Sequence, residues 1–103
     1  MIQDEEIRAL AQKIAERLHP HKIILFGSRA EGTASPKSDV DLLIIQETPL
    51  PPHRRGLGIR RFLRPLPFPL DLIVLTPAEV AEQTGVRGTF VDMVLSTGKV
   101  LYG

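Results

Sequence analysis

The chain has no cysteine and no tryptophan, a single tyrosine, and no apolar run near the ~20 residues that a membrane-spanning helix needs. Without cysteine there is neither a disulfide scaffold nor a thiolate metal site, which fits a reducing cytoplasm. Charge of one sign is also lacking. Thirteen Lys and Arg against twelve Asp and Glu leave a net +1, so whole-chain charge gives no support for a general nucleic-acid or membrane binder. The opening MIQDEEIRAL is acidic and has none of the basic and apolar regions of a secretory leader. With 103 residues, 43% apolar and 24% charged, the expectation is one soluble cytoplasmic domain spanning 1–103.

The residues that are present alternate between helical and strand patterns. Ile7, Leu10, Ala11, Ile14, Ala15 and Leu18 fall on one helical face, with Asp4 as the expected N-cap and Pro20 as the stop. Lys22 to Phe26 reads as a strand buried on both faces, Asp39 to Gln46 as a second and Leu70 to Thr76 as a third. Thr76-Pro77-Ala78-Glu79 is a capping box with proline at the first helical position, and that helix should close at Gly85. A helix over Thr89–Ser96 is ended by Gly98, and Lys99 to Tyr102 forms a terminal strand in which Tyr102 packs. The proline-bracketed stretch 49–69 carries a short helix at about 53–64, cut off by Pro65. The fold class expected is α/β, as an α+β two-layer domain.

The chemistry concentrates in GSRAEGTASPKSDVD, residues 27–41. Gly27-Ser28 lies between a strand and a short helical turn, where backbone N–H groups and a small hydroxyl suit phosphate and glycine permits close approach. Ser28 to Glu31 can equally be a capping box that needs no ligand. Arg29 can contact phosphate or stand solvated. Gly32 to Ser38, with Pro36 in the middle, is loop.

Ten residues after Ser28 come Asp39 and Asp41, placed by strand alternation on one face with Val40 on the other. Two carboxylates so close repel unless a cation neutralises them, and only Lys37 offers a counter-charge nearby. Hard oxygen ligands select Mg²⁺ or Mn²⁺ over zinc, and a pair bridging two ions roughly 3.5–4 Å apart suits in-line displacement at phosphorus. Asp71, inside an apolar run, joins them if its strand lies beside the second. Arg54, Arg55, Arg60, Arg61 and Arg64 form a basic run with no acid between Glu47 and Asp71, read either as a solvated face or as a contact for phosphate, RNA or an acidic partner. His19, His21 and His53 show no ligand spacing.

Gly27-Ser28, Asp39-Val40-Asp41 and the later Asp71 together resemble the DNA polymerase beta-type nucleotidyltransferase superfamily. The short chain and its ending STGKVLYG look most like the minimal nucleotidyltransferases, the MntA-like antitoxins encoded beside HEPN-domain toxins. The resemblance implies a small mixed sheet backed by helices. It implies Asp39, Asp41 and Asp71 as catalytic carboxylates holding two Mg²⁺ ions, and Gly27, Ser28 and Arg29 toward the nucleotide. It further implies attack of a hydroxyl on the α-phosphate of ATP, with AMP placed on a tyrosine of the HEPN toxin. Glu31 stands where many relatives carry a second basic residue. A chain this short has no room for the extra helical domain of larger superfamily enzymes, so a partner or its own dimer is expected to complete the site. Two other readings stand beside this one: an antitoxin that neutralises by contact alone, and a nucleotidyltransferase acting on a small molecule.

Overall fold

A computed structural model describes residues 4–35 and 38–103. Helix α1, Asp4–Leu18, presents Ile7, Leu10, Ala11, Ile14 and Ala15 to the core. Asp4 is helical rather than a cap ahead of the helix, and with Glu5 and Glu6 it complements the positive end of the helix dipole. Strand β1, Lys22–Phe26, leads into the one-turn helix α2, Ser28–Glu31. Strand β2 is Val40–Ile45 and β3 is Leu70–Leu75, each slightly shorter than its sequence pattern. Helix α4, Pro77–Gln83, and helix α5, Phe90–Thr97, precede the last strand β4, Lys99–Tyr102.

The strands form one mixed sheet in the order β3-β2-β1-β4. β1 runs antiparallel to both β2 and β4, while β2 and β3 are parallel. A parallel pair needs a crossover connection, and the segment between β2 and β3 supplies it as a 3₁₀ turn, Pro52–Arg54, followed by helix α3, Arg55–Leu63. This splits the helix expected at about 53–64. Pro52 opens the tighter turn, and Arg64 is extended because the residue before a proline is pushed out of the helical region.

Alternation along the strands divides the apolar residues between the two sheet faces. Ile23, Leu25, Val40, Leu42, Ile44, Leu70 and Val74 pack with α1 and with Ile59 and Leu63 of α3. Ile24, Phe26, Leu43 and Ile45 pack on the other face with Val94, Val80 and Phe90 of α4 and α5. Burial on both faces explains the unbroken apolarity of β1 and β2 in sequence. Tyr102 packs half-buried against the first cluster.

The Thr76 capping box forms as its sequence predicts: Glu79 N–H donates to Thr76 Oγ1 at 3.2 Å and Thr76 N–H donates to Glu79 Oε1 at 2.8 Å. The helix it starts closes at Thr84, before Gly85, whose positive φ of 79° already belongs to the following turn.

Candidate active site

β1 stops at Phe26 because Gly27 leaves the strand with φ 76° and ψ −159°. A side chain there would meet two obstacles. The backbone lies in the left-handed region, and a Cβ would collide with Oδ2 of Asp41. Gly27 therefore lets the Asp41 carboxylate approach the start of α2. It is also the N-cap of α2: Ala30 and Glu31 N–H both donate to its carbonyl at 3.1 Å.

Ser28 is the first helical residue and not the cap, and no side-chain hydrogen bond caps this helix. The capping-box explanation of Ser28 and Glu31 thus falls away. Thr33 N–H closes the turn on the Ser28 carbonyl at 3.0 Å.

The parallel register of β2 and β3 pairs Asp41 directly with Asp71. Both project from the face that carries Leu43 and Ile45, and Phe26 stands opposite Asp41 on β1. Phe26 is buried and meets Phe90 edge-on, with ring centroids 5.2 Å apart at 86°. Asp41 is half-buried, whereas Asp71 is exposed. Burial raises the pKa of Asp41 first, then a side-chain hydrogen bond with Asp71, then the negative charges of Asp71 and Asp39. A hydrogen bond between two carboxyl groups requires a proton on one of them.

Asp39 is exposed and precedes β2, which begins at Val40 where its N–H donates to the Pro69 carbonyl at 3.0 Å. The sheet therefore brings Asp41 and Asp71 together and leaves Asp39 as a nearby charge. Among the described residues, no group of three or more His, Cys, Asp or Glu side chains is gathered as a ligand set. The Asp41–Asp71 pair nevertheless fits a hard divalent cation, being two oxygen donors whose own interaction is repulsive once both are ionised. The expected neighbours Pro36 and Lys37 lie outside the described residues.

The two arginines that stand out in sequence are engaged elsewhere. Arg29 donates from Nε at 3.1 Å and from Nη2 at 2.8 Å to the Ser38 carbonyl, pinning the loop just before Asp39 to α2. It acts as a clamp on that loop. Arg55 is withdrawn from the basic run. It donates to the carbonyls of Leu50 at 2.8 Å and Val74 at 3.1 Å, and pairs with Glu79 at 2.6 Å. That contact, then the backbone N–H of Thr76, holds the Glu79 carboxyl below its usual pKa. Nothing in sequence links Arg55 to a residue 24 positions away, so this clamp was not foreseeable.

The comparisons with known proteins agree with this geometry. Residues 7–95 match the family model described as nucleotidyltransferase domain. No curated protein sequence matches the chain. A Sulfolobus solfataricus protein described as a nucleotidyltransferase is 25% identical with a TM-score of 0.59, over 74% of this chain and 68% of that one. A toxin–antitoxin structure with AMP-PNP is 22% identical with a TM-score of 0.64, over 93% of this chain and 73% of that one. A mutant of the toxin–antitoxin MntA–HpeT is 21% identical with a TM-score of 0.58, over 99% and 74% of the respective chains. The last two likenesses concern the fold. With a family match over most of its length, and a mixed sheet that pairs two acids beside a glycine turn, this chain belongs to the nucleotidyltransferase domain family.

Proposed function

We propose that this nucleotidyltransferase moves AMP from ATP to a hydroxyl, in particular a tyrosine, of a HEPN-type toxin, and so acts as the antitoxin of a pair. The observation that carries the proposal is the in-register Asp41–Asp71 pair lying against Gly27. Support for the biological setting comes from the fold shared with two toxin–antitoxin structures, one of them with AMP-PNP.

In this reading Asp39, Asp41 and Asp71 hold the divalent metal, Asp39 from the loop just before β2. Bound magnesium, as two ions in the full site, would offset the charge on the α-phosphate and its leaving group. Gly27 and the Ser28 hydroxyl receive the outer phosphates. Asp71, the more exposed of the pair, accepts the proton as the acceptor oxygen bonds to the α-phosphorus and the bond to pyrophosphate breaks. Buried Phe26 beside Asp41 excludes water from one side and strengthens the electrostatics there. The whole of 1–103 acts as one domain.

The test mixes the chain with the product of a neighbouring toxin gene, Mg²⁺ and each nucleotide in turn, then weighs both proteins. An AMP-sized gain on the toxin with ATP is expected. Unchanged masses in a stable complex would instead mean neutralisation by contact, and a gain confined to a small-molecule acceptor would refute a protein substrate.

A further inference from the structure

The basic run around α3 is a separate feature of the sequence, and it opens at the end of the sheet opposite the carboxylates, where Arg55 meets Val74. From Asp41 to Ile45, β2 advances roughly 13 Å at about 3.3 Å per residue, so the start of α3 is well away from the carboxylates. Helix α3 buries Ile59 and Leu63 and leaves Arg54, Arg61 and Arg64 exposed, with Arg60 half-buried. Among the described residues none of these four arginines has a carboxylate partner, since the ion pair formed there is Arg55–Glu79. Arg54 also lies at the positive end of the helix dipole, with no acid in the first turn. Arg60 and Arg61, in the last turn, complement the negative end of that dipole, whereas Arg54 does not serve the stability of α3.

Beside this basic face lies a groove of about 340 Å³, lined by Leu50, Gly58, Ile59 and Phe62, with Arg17 and Glu47, of opposite charge, also in its lining. Arg17 is held over the Phe62 ring, 5.1 Å from its centroid. Leu57 on the outer face and Leu50 at the groove are 52% and 44% exposed. Gly58 is the informative residue. Glycine inside a helix is destabilising by roughly 0.5–1 kcal/mol relative to alanine. Gly58 has no positive φ, and a Cβ there would meet nothing within 4 Å, so neither the backbone nor the packing demands glycine. Gly58 lies in the lining of the groove.

We infer that the groove and basic face of α3 dock an acidic segment of a partner protein, with one apolar side chain seated between Leu50, Gly58 and Phe62. The exposed Arg54 and Arg61, four residues before and three after Gly58, together with the apolar slot select a peptide carrying both Asp or Glu and a large apolar anchor. Nucleic acid would use the charge and leave the slot without an occupant, and no exposed aromatic stands there for a base to stack on. The inference deepens the proposed function, and rests on it only in taking the docked partner to be the acceptor protein.

The test pans a displayed library of random twelve-residue peptides against the wild-type chain, then measures the enriched peptides by fluorescence anisotropy. Enriched sequences should be net acidic with a large apolar residue. They should bind at least tenfold more weakly to Arg54→Glu/Arg61→Glu and to Gly58→Trp, both with melting temperatures near wild type. Asp41→Asn should bind them as wild type does, which separates this surface from the transfer reaction. The inference is overturned if no peptide is enriched, or if those enriched bind both variants undiminished. It is equally overturned if a single-stranded RNA oligonucleotide binds more tightly than any peptide and loses affinity on the charge reversal.

Discussion

Replacing Asp41 by asparagine should stabilise the metal-free protein, the reverse of what a buried-residue substitution usually does. Asp41 is half-buried beside Asp71, and has its pKa raised by burial and by two neighbouring carboxylates. Two unit charges at ~4 Å repel by about 1 kcal/mol in water and about 4 kcal/mol at an effective dielectric of 20. Because Asp71 is exposed, the lower end applies, and the expected gain is ~1 kcal/mol. For a domain of this size that is roughly a 4–8 °C rise in Tm. Asparagine also keeps a donor for the Asp71 carboxylate.

The sign with pH follows from linkage. A carboxyl whose folded pKa is raised binds its proton more readily in the native state, so its penalty is absent below the ordinary value of 3.8 and grows as pH rises through the folded value. Melts in EDTA should show wild type and variant converging toward pH 4 and separating toward pH 7. Saturating Mg²⁺ and ATP should reverse the order, since a ligand at 100 times its Kd adds about 2.7 kcal/mol to the one state that binds it. A variant less stable than wild type in EDTA at pH 7 would refute the view that these acids repel in the absence of a cation.

Three other substitutions probe separate parts of the account. Gly27→Ala should cost at least ~1–2 kcal/mol for the left-handed backbone alone, and more for the collision with Asp41, read as a lower urea midpoint. Ile14→Ala, at a fully buried position on α1, should lose about 2–5 kcal/mol in the same assay without altering metal affinity. Glu79→Gln should weaken the link between α3 and α4. The lowered pKa of Glu79 contributes stability above the unfolded value of 4.5 and loses it as pH falls through the folded one. The melting temperatures of that variant and the wild type should therefore differ at pH 7 and converge in acid.

Much of this fold was legible because its signals are local. The α1 stripe, the apolar strands, the Thr76 capping box and the helix stop at Gly98 each depend on residues within a few positions of one another. The nearness of Asp71 to Asp41 was conditional on strand order, which no local pattern fixes, and the parallel register supplies it. Three features were read differently in sequence for physical reasons. Ser28 looked like a cap because its residue type and the spacing to Glu31 fit one, but the unusual dihedrals of Gly27 move the cap back by a residue. Arg29, read as either a phosphate contact or a solvated side chain, holds the Ser38 carbonyl across the loop. Asp39 looked like a strand residue, but β2 starts where Val40 first pairs with Pro69. Arg55 is the strongest case, since its partners are Leu50, Val74 and Glu79 on three different segments.

The most direct test of nucleotidyl transfer uses ATP labelled at either the α- or the γ-phosphate, with Mg²⁺ and the proposed toxin partner. Label should reach the toxin from the α position alone, and Asp41→Asn and Asp71→Asn should each abolish it. Transfer from the γ position, or undiminished α transfer by both variants, would contradict the assignment of Asp41 and Asp71 as the acids that carry the reaction.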